Sequence, residues 1–412
     1  MAKPRARSIA SRQPAISGPL AVVFIALAIV VGAMMLDLPA GFWHQPALAD
    51  LRAGILEGLG LATPQPTAVA LTVGEPTAVP PTALPPNNSP SPANWYQIYF
   101  TNPRYPDHES DHHDGIDGYL VQLIKGAQRS IDVAAYELDL DTVADALLAA
   151  KARGVTVRLV TDSDNIDEKP LQRMKQGGIP VVGDNRGALM HNKFVIIDER
   201  YVWTGSWNLT VNCTYRNNNN ALVIASEALA RNYAAKFAEM FEKHHFGSRN
   251  RAPVIAPVLT IEGTRVENYF APEDHVADHI AELLRGAKTS VRFLAYSFTD
   301  DRLGQILIER AKASVAVAGV IEKRGSDTEA AEYRRLRNAG IDVLLDGNPY
   351  IMHHKVFIVD DSIVVTGSFN FTENADKDND ENALIIYNAD VARQYLEEFQ
   401  RVRQRAASAE QS

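Results

Sequence analysis

Short apolar runs alternate with stretches of helical periodicity from about residue 95 onward. The run at 130–136 is strand-like, and a helical pattern at 143–153 and a second short apolar run at 155–160 follow it. Apolar runs of this length, separated by helices, predict an α/β unit whose sheet is largely buried. A long helical pattern at 228–243 ends this unit.

The same order of elements then occurs a second time. The run at 290–296 repeats the one at 130–136, an offset of 160 residues, and a long helical pattern at 390–403 again ends the unit. The sequence therefore predicts an internal duplication that is almost free of gaps. The predicted boundaries are 95–250 for a first lobe, 251–267 for a connection, 268–406 for a second lobe and 407–412 for a tail.

The first 94 residues follow a different pattern. An uncharged run from Ala15 to Leu36 has the length of a membrane span of about 20 residues. The basic residues before it predict that the N-terminus is cytoplasmic and that the body lies outside the cytoplasmic membrane. We expect a basic N-terminus at 1–14, a single transmembrane anchor at 15–38 and a linker rich in Pro, Thr and Ala at 39–94. Cleavage near Ala47-Leu48-Ala49, which would release a secreted protein, is the alternative.

The charge balance limits the partners of the body. The chain has a net charge of −9, and residues 95–412 carry 36 basic and 46 acidic residues, a net charge of −10. Proteins that bind nucleic acid through their overall field are usually basic, so this body would need a local positive site. The single cysteine, Cys213, excludes an intramolecular disulfide and a zinc site built from several cysteines.

Each lobe carries one copy of a polar pattern around an apolar strand. In both copies the serine lies 15 residues after the first histidine and the asparagine lies 17 residues after it. The two copies are His191-Asn192-Lys193, four apolar residues, Asp198 and Thr204-Gly205-Ser206-Trp207-Asn208; and His353-His354-Lys355, four apolar residues, Asp360 and Thr366-Gly367-Ser368-Phe369-Asn370. Residues two apart on a strand point the same way, so each His and Lys should share a face, and His354 should face the opposite side.

These side chains suit the chemistry of a phosphodiester. Ammonium, amide and hydroxyl groups can hold the non-bridging oxygens, and a neutral imidazole can attack phosphorus to form a phosphohistidine. A second imidazolium can then protonate the leaving oxygen and later activate water. One copy supplies one histidine, so we predict a single site shared by both copies. The predicted residues are His191, Lys193, His353 and Lys355 for catalysis, and Ser206, Asn208, Ser368 and Asn370 for phosphate binding.

The two patterns resemble the HKD motif of the phospholipase D superfamily, over residues 95–406. The second half is similar to small bacterial nucleases and to members resembling cardiolipin hydrolase. The resemblance implies an α/β body of two lobes related by a pseudo-twofold axis, with mixed, mostly buried sheets flanked by helices. It also implies a covalent mechanism that needs no metal or other cofactor, in a monomer whose lobes form a pseudo-dimer. Asp198 and Asp360, at the far ends of the apolar strands, are expected to have turn or salt-bridge roles.

The copies differ where the superfamily commonly has a carboxylate that orients a histidine. The second lobe has Glu381 there, and the first has Asn219. If each group pairs within its own lobe, the carboxylate raises the pKa of His353 and favours its role as acid. His191, beside an amide, would then be the nucleophile.

We therefore expect a membrane-anchored hydrolase of the phospholipase D type that acts on a phospholipid. The alternative substrate is DNA or RNA, because the motif chemistry is the same for both. A protein of another class, an inactive scaffold that keeps the fold, is disfavoured by the intact His, Lys, Ser and Asn residues of both copies.

Overall fold

A computed structural model describes residues 95–250 and 254–411 of the chain. The expected anchor at 15–38 and linker at 39–94 lie outside the described residues. Within the described part, no helix is both long enough and apolar enough to cross a membrane. The proposed lobe boundaries remain predictions.

The first lobe is a seven-stranded mixed sheet with helices on both faces. Its strand order is β1-β7-β6-β5-β2-β3-β4, in which β2, β3 and β4 are parallel and the remaining pairs are antiparallel. The elements are β1 (Tyr96–Phe100), α1 (Asp117–Gly126), β2 (Ser130–Ala135), α2 (Asp141–Ala152), β3 (Thr156–Thr161), α3 (Lys169–Gln176), β4 (Val181–Gly183), β5 (Lys193–Ile197), β6 (Tyr201–Gly205), a π-helix (Asn212–Arg216), β7 (Asn220–Ala225) and α4 (Glu227–Lys243). Short 3₁₀ helices lie at Glu109–Asp111, Ser163–Asn165 and Gly247–Arg249.

The second lobe repeats this topology and adds one strand to its edge. Its order is β12-β11-β10-β13-β14-β15-β9-β8, so β13 matches β5 and β15 matches β7. The elements are β8 (Val258–Ile261), β9 (Thr264–Ala271), α5 (Val276–Gly286), β10 (Ser290–Ala295), α6 (Asp301–Lys312), β11 (Ala316–Ile321), α7 (Glu332–Asn338), β12 (Asp342–Leu345), β13 (Lys355–Val359), β14 (Ile363–Gly367), α8 (Glu373–Lys377), β15 (Glu381–Tyr387) and α9 (Ala389–Glu410). The predicted α/β class with two mixed, helix-flanked sheets is confirmed.

The central strands are buried on both faces, as their unbroken apolar sequences predict. Every residue of β5 and β13 is buried. Alternate residues of β5 enter different cores: Val195 packs with the helices on the outer face, and Phe194 packs into a core that both lobes share. The long helices α4 and α9 contribute Tyr233 and Tyr395 to that shared core. The lobes are therefore joined by one continuous apolar interior.

Two isolated bridges connect the lobes beside the histidines. Met190 pairs with Asp380, and Asn218 pairs with Met352, each in parallel. As a result the backbone N–H of His191 donates to the carbonyl of Asp380 at 3.0 Å, and that of His353 donates to the carbonyl of Asn218 at 2.8 Å. Each histidine is thus fixed by backbone from the opposite lobe.

Candidate active site

The two histidines lie just before β5 and β13 and take their side-chain partners from the opposite lobe. His191 Nδ1 lies 2.7 and 2.8 Å from the carboxylate oxygens of Glu381. His353 Nδ1 lies 3.0 Å from Asn219 Oδ1 and 3.1 Å from the carbonyl oxygen of Ser206. The expectation that each orienting group pairs within its own lobe is wrong. Because an acceptor occupies each Nδ1, the Nε2 atoms are the ones available to a substrate.

Ser206 and Ser368 hold the orienting groups. Ser368 Oγ donates to Glu381 at 2.6 Å, and Ser206 Oγ donates to Asn219 at 3.0 Å. Each hydroxyl oxygen also accepts a backbone N–H, from Asn220 at Ser206 and from Asn382 at Ser368. Both serines are fully buried. These contacts differ from the expectation that the hydroxyls bind phosphate, because their hydrogen bonds are already made inside the protein.

The glycine before each serine allows the strands to approach closely. Gly205 and Gly367 have φ values of +145° and +146°. A Cβ at Gly367 would lie 2.3 Å from the carbonyl oxygen of Asn382, and one at Gly205 would lie 2.4 Å from that of Asn220. Only glycine fits here, and the close approach brings the serine to its orienting partner.

Each lysine is buried beside its histidine and above a tyrosine ring. Lys193 Nζ donates to the carbonyl of His191 at 2.8 Å, and Lys355 Nζ donates to that of His353 at 3.0 Å. The ammonium groups lie 5.1 and 4.7 Å from the ring centres of Tyr136 and Tyr296, within the range of cation–π attraction. The same rings contact His191 and His353 edge-on. Sequence reasoning missed these tyrosines, although both end the duplicated strand in the pair Ala-Tyr.

The two motif asparagines are not equivalent. Asn208 Nδ2 donates to Glu137 at 3.2 Å, so the first-lobe amide has a fixed orientation. Asn370 has no side-chain hydrogen bond among the described residues, and its amide nitrogen is free to meet a ligand. In both residues the Oδ1 atom is buried without a partner. The Asn370 amide nitrogen is therefore unengaged among the described residues, whereas one hydrogen of the Asn208 amide is given to Glu137; the phosphate-binding role of both stays a prediction.

Burial controls the protonation of the site. Burial, and then the two ammonium groups, lower the pKa of His191 well below its usual value. Burial, then Lys355 and Lys193, do the same to His353. Burial lowers the pKa of Lys193 to about 8, opposed first by Glu381, and it lowers that of Lys355 as well. Burial raises the pKa of Glu381 to about 8, opposed first by Lys193. A bound phosphate anion would favour the protonated form of every one of these groups.

Asp198 and Asp360 shape turns and lie away from the histidines. Asp360 accepts the backbone N–H groups of 288, 289 and 290 at 2.7–3.0 Å, and Asp198 accepts those of 128, 129 and 130 at 2.7–3.1 Å. Both aspartates adopt positive φ. These contacts agree with the expected turn role.

His354 faces away from the site, as the strand alternation predicts. Its Nδ1 contacts Asn220 at 3.1 Å, and its Nε2 contacts Glu398 of α9 at 2.8 Å. In the first lobe the equivalent residue, Asn192, accepts a hydrogen bond from Asn382. This second row of polar residues joins the lobes behind the site.

Comparison with known proteins identifies the lobes. Residues 120–241 and 280–403 each match a family model described as "Cardiolipin synthase, PLD-like domain", and together they make up more than half of the chain. A phospholipase D from Rickettsia bellii is 33% identical over 142 residues, which are 34% of this chain and 71% of that protein. A mitochondrial cardiolipin hydrolase from Xenopus tropicalis is 30% identical over 135 residues, which are 32% of this chain and 64% of that protein.

One solved structure has the fold of both lobes. Phosphatidylserine synthase from Haemophilus influenzae aligns with a TM-score of 0.59 and 14% identity, over 75% of this chain and 86% of that structure. At this identity the likeness concerns the fold alone. The two family matches, one in each lobe, show that the chain belongs to the phospholipase D superfamily through a duplicated PLD-like domain.

Proposed function

We propose that this protein is a phosphodiesterase of the phospholipase D type that hydrolyses a phospholipid through a phosphohistidine. One observation carries the proposal: two histidines, each oriented by a residue of the opposite lobe, lie beside two buried lysines in one centre. Two ammonium groups and the Asn370 amide suit the non-bridging oxygens of one phosphodiester. One lobe alone supplies neither both histidines nor the orienting partners.

His191 is the nucleophile in this proposal, for a reason that differs from the sequence argument. When Nε2 attacks phosphorus, the imidazole becomes cationic, and the Glu381 carboxylate 2.7 Å from Nδ1 stabilises that charge. His353 is paired with the neutral Asn219, so its imidazolium is the stronger acid and releases a proton more readily. A carboxylate that only raised the pKa of its partner would favour the acid role for His191, so the assignment depends on the charge of the intermediate.

The reaction then takes two displacements. In the first, the His191 Nε2–phosphorus bond forms, the bond to the leaving oxygen breaks, and His353 gives its Nε2 proton to that oxygen. In the second, His353 takes a proton from water, the water oxygen bonds to phosphorus, and the phosphorus–nitrogen bond breaks. The products are an alcohol, a phosphate monoester and the regenerated enzyme.

A phospholipid is the proposed substrate class, with the body attached to the outer face of the cytoplasmic membrane by the segment 15–38. The matched relatives named phospholipase D and cardiolipin hydrolase support this choice. The acidic body supports it as well, because a net charge of −10 over residues 95–412 opposes approach to nucleic acid. We further propose that the enzyme acts as a monomer and without a metal.

The test is a parallel assay of the full chain, with EDTA present, on phosphatidylcholine, cardiolipin, single-stranded DNA and RNA. We expect lipid turnover that His191→Ala and His353→Ala both abolish and that His113→Ala, an exposed histidine in a loop, leaves unchanged. Turnover of nucleic acid alone would refute the substrate class, and strict dependence on metal would refute the mechanism. Trapping the phosphoenzyme should place phosphate on His191; phosphate on His353 would reverse the assignment.

A further inference from the structure

The first-lobe wall of the site carries a carboxylate that the duplication does not repeat. Glu137 follows Tyr136, and its carbonyl accepts the N–H of Leu209 at 3.3 Å. In the second lobe the carbonyl of Ser297 accepts the N–H of Phe371 at 3.1 Å, so Ser297 is the structural equivalent of Glu137. The reaction above gives Glu137 no role.

Glu137 faces the catalytic groups. It lines a small cavity together with Tyr136, Lys193, Trp207 and Asn208. Its charge also affects both tyrosines: burial is the main cause of the raised pKa of Tyr136 and of Tyr296, and Glu137 adds to it in both. Tyr136 contacts His191 edge-on, so the cavity that Glu137 lines lies beside the first-lobe histidine and lysine.

An unpaired acceptor lies next to this carboxylate. Because Asn208 gives its Nδ2 hydrogen to Glu137, its Oδ1 atom points elsewhere, and that oxygen is buried without a hydrogen-bond partner. Asn208 is only 6% exposed, so water does not solvate this oxygen freely. A buried acceptor without a donor is costly, and a bound ligand that supplies a donor would remove the cost.

Lys193 does not supply a donor to the Glu137 carboxylate. Lys193 lines the same cavity, but its ammonium donates to the carbonyl of His191, and it forms no ion pair with Glu137 in the described part of the chain. Once a phosphodiester is bound, Lys193 and Lys355 face its negative oxygens. Glu137, whose pKa is raised by burial and lowered chiefly by Lys193, would then be a half-buried carboxyl group without a cation among the described residues.

The opposite wall carries a cation at one position where the first lobe has a carboxylate. Arg324 follows β11 where Asp164 follows β3, again at an offset of 160 residues. It is exposed, its guanidinium forms no ion pair among the described residues, and it lowers the pKa of Tyr296 against the larger effects of burial and of Glu322. The second-lobe wall therefore carries both a carboxylate, Glu322, and a guanidinium, Arg324, beside Tyr296.

We propose that Glu137 and Asn208 Oδ1 form a subsite for a primary ammonium group, so the enzyme prefers phosphodiesters with an aminoalcohol arm such as ethanolamine. The ammonium donates one hydrogen to the Glu137 carboxylate and one to Asn208 Oδ1. A choline arm has the charge but no N–H donor, and a glycerol arm has donors but no charge. This inference rests on the proposed phosphodiesterase function and names the substrate preference of the same site.

The test compares the full chain with Glu137→Gln on phosphatidylethanolamine, phosphatidylcholine and phosphatidylglycerol in mixed micelles. Glutamine keeps an acceptor for Asn208 Nδ2 and removes only the charge, so a purely structural role of Glu137 would be preserved. A hydrogen bond to a charged group exceeds a neutral one by about 1.4 kcal/mol, which corresponds to a change of about tenfold. In Glu137→Gln we expect kcat/KM for phosphatidylethanolamine, relative to that for phosphatidylglycerol, to fall about tenfold. The value for phosphatidylcholine, relative to that for phosphatidylglycerol, should fall less.

Glu199→Gln is the matched control, because Glu199 is an exposed glutamate of the same lobe, in the turn between β5 and β6, and contacts neither Asn208 nor Lys193; its ratios should not change. The subsite would be overturned if these kcat/KM ratios were the same in wild type and Glu137→Gln. It would also be overturned if the ratio for phosphatidylcholine fell as much as the ratio for phosphatidylethanolamine. Binding of O-phosphoethanolamine and glycerol 3-phosphate, measured by calorimetry, separates the subsite from the function. A Glu137-dependent preference in binding without lipid turnover would refute the proposed function alone, and lipid turnover without that preference would refute the subsite alone.

Discussion

Replacing Glu381 with glutamine tests the division of labour between the histidines. The carboxylate accepts from His191 Nδ1, from Ser368 Oγ and from Asn379 Nδ2 at 2.7, 2.6 and 3.3 Å. A glutamine amide keeps the shape but turns an NH₂ group toward one of these donors. The cationic phosphohistidine would also lose its counter-charge, which at about 4 Å and an effective dielectric constant near 20 is worth about 4 kcal/mol.

Part of this energy remains, because the amide oxygen of glutamine still attracts the imidazolium. If about 3–4 kcal/mol is lost in the transition state alone, phosphorylation of the enzyme slows by about 10²- to 10³-fold. Stopped-flow bursts with bis(p-nitrophenyl) phosphate measure this step directly. A p-nitrophenolate leaving group needs little help from an acid, so the burst reports the nucleophile and its partner.

Asn219→Ala is the paired variant, since Asn219 orients His353 at 3.0 Å. We expect it to slow cleavage of lipid esters, whose leaving alkoxides need a proton, and to leave the aryl burst within about tenfold of wild type. A burst that survives Glu381→Gln and disappears in Asn219→Ala would refute the assignment and make His353 the nucleophile. Thermal melting of both variants shows whether either change has merely unfolded the protein.

Three further predictions follow from the geometry. The Lys193 ammonium is lost as pH rises through about 8, so kcat/KM should fall on the alkaline side of about pH 8; Lys193→Arg should weaken this fall, and an unchanged profile would contradict the role of the ammonium. Asp360→Ala removes the acceptor of three backbone N–H groups and should lower the free energy of unfolding by about 2–3 kcal/mol in urea titrations; Asp198→Ala should cost a similar amount, and a cost below 0.5 kcal/mol in either lobe would count against the turn role. Gly367→Ala should both destabilise the protein and reduce kcat, because its Cβ would lie 2.3 Å from a carbonyl oxygen; normal stability and activity would show that the strand can move aside.

The sequence predicted most of what lies within one lobe. Apolar runs identified the buried strands β5 and β13, and alternation along β13 correctly placed His354 on the face opposite Lys355. Such patterns are local, because side-chain direction in a strand follows from the backbone alone. The positions of Asp198 and Asp360 after their strands likewise indicated turns.

The partners of the histidines were not predictable in this way. Glu381 lies 190 residues from His191 in the chain, and Asn219 lies 134 residues from His353. Each orienting group begins or precedes a strand of its own lobe, and only the packing of the lobes turns it toward the other histidine. Tyr136 and Glu137 were missed for a related reason: their roles depend on the lysine and asparagine they meet in the folded chain.

The duplication produced a symmetric scaffold, and single substitutions on it produced two different halves of a site. Behind Glu381, the buried Asp380 pairs with Arg186 and, at 3.0 Å, with Lys236. The equivalent residue behind Asn219 is Asn218, which accepts a hydrogen bond from the neutral Asn348 at 2.8 Å. Ion pairs thus support the carboxylate side, and amides support the other. This inequality suits a reaction in which one histidine becomes covalently cationic while the other only exchanges a proton, because the carboxylate side favours the cationic state.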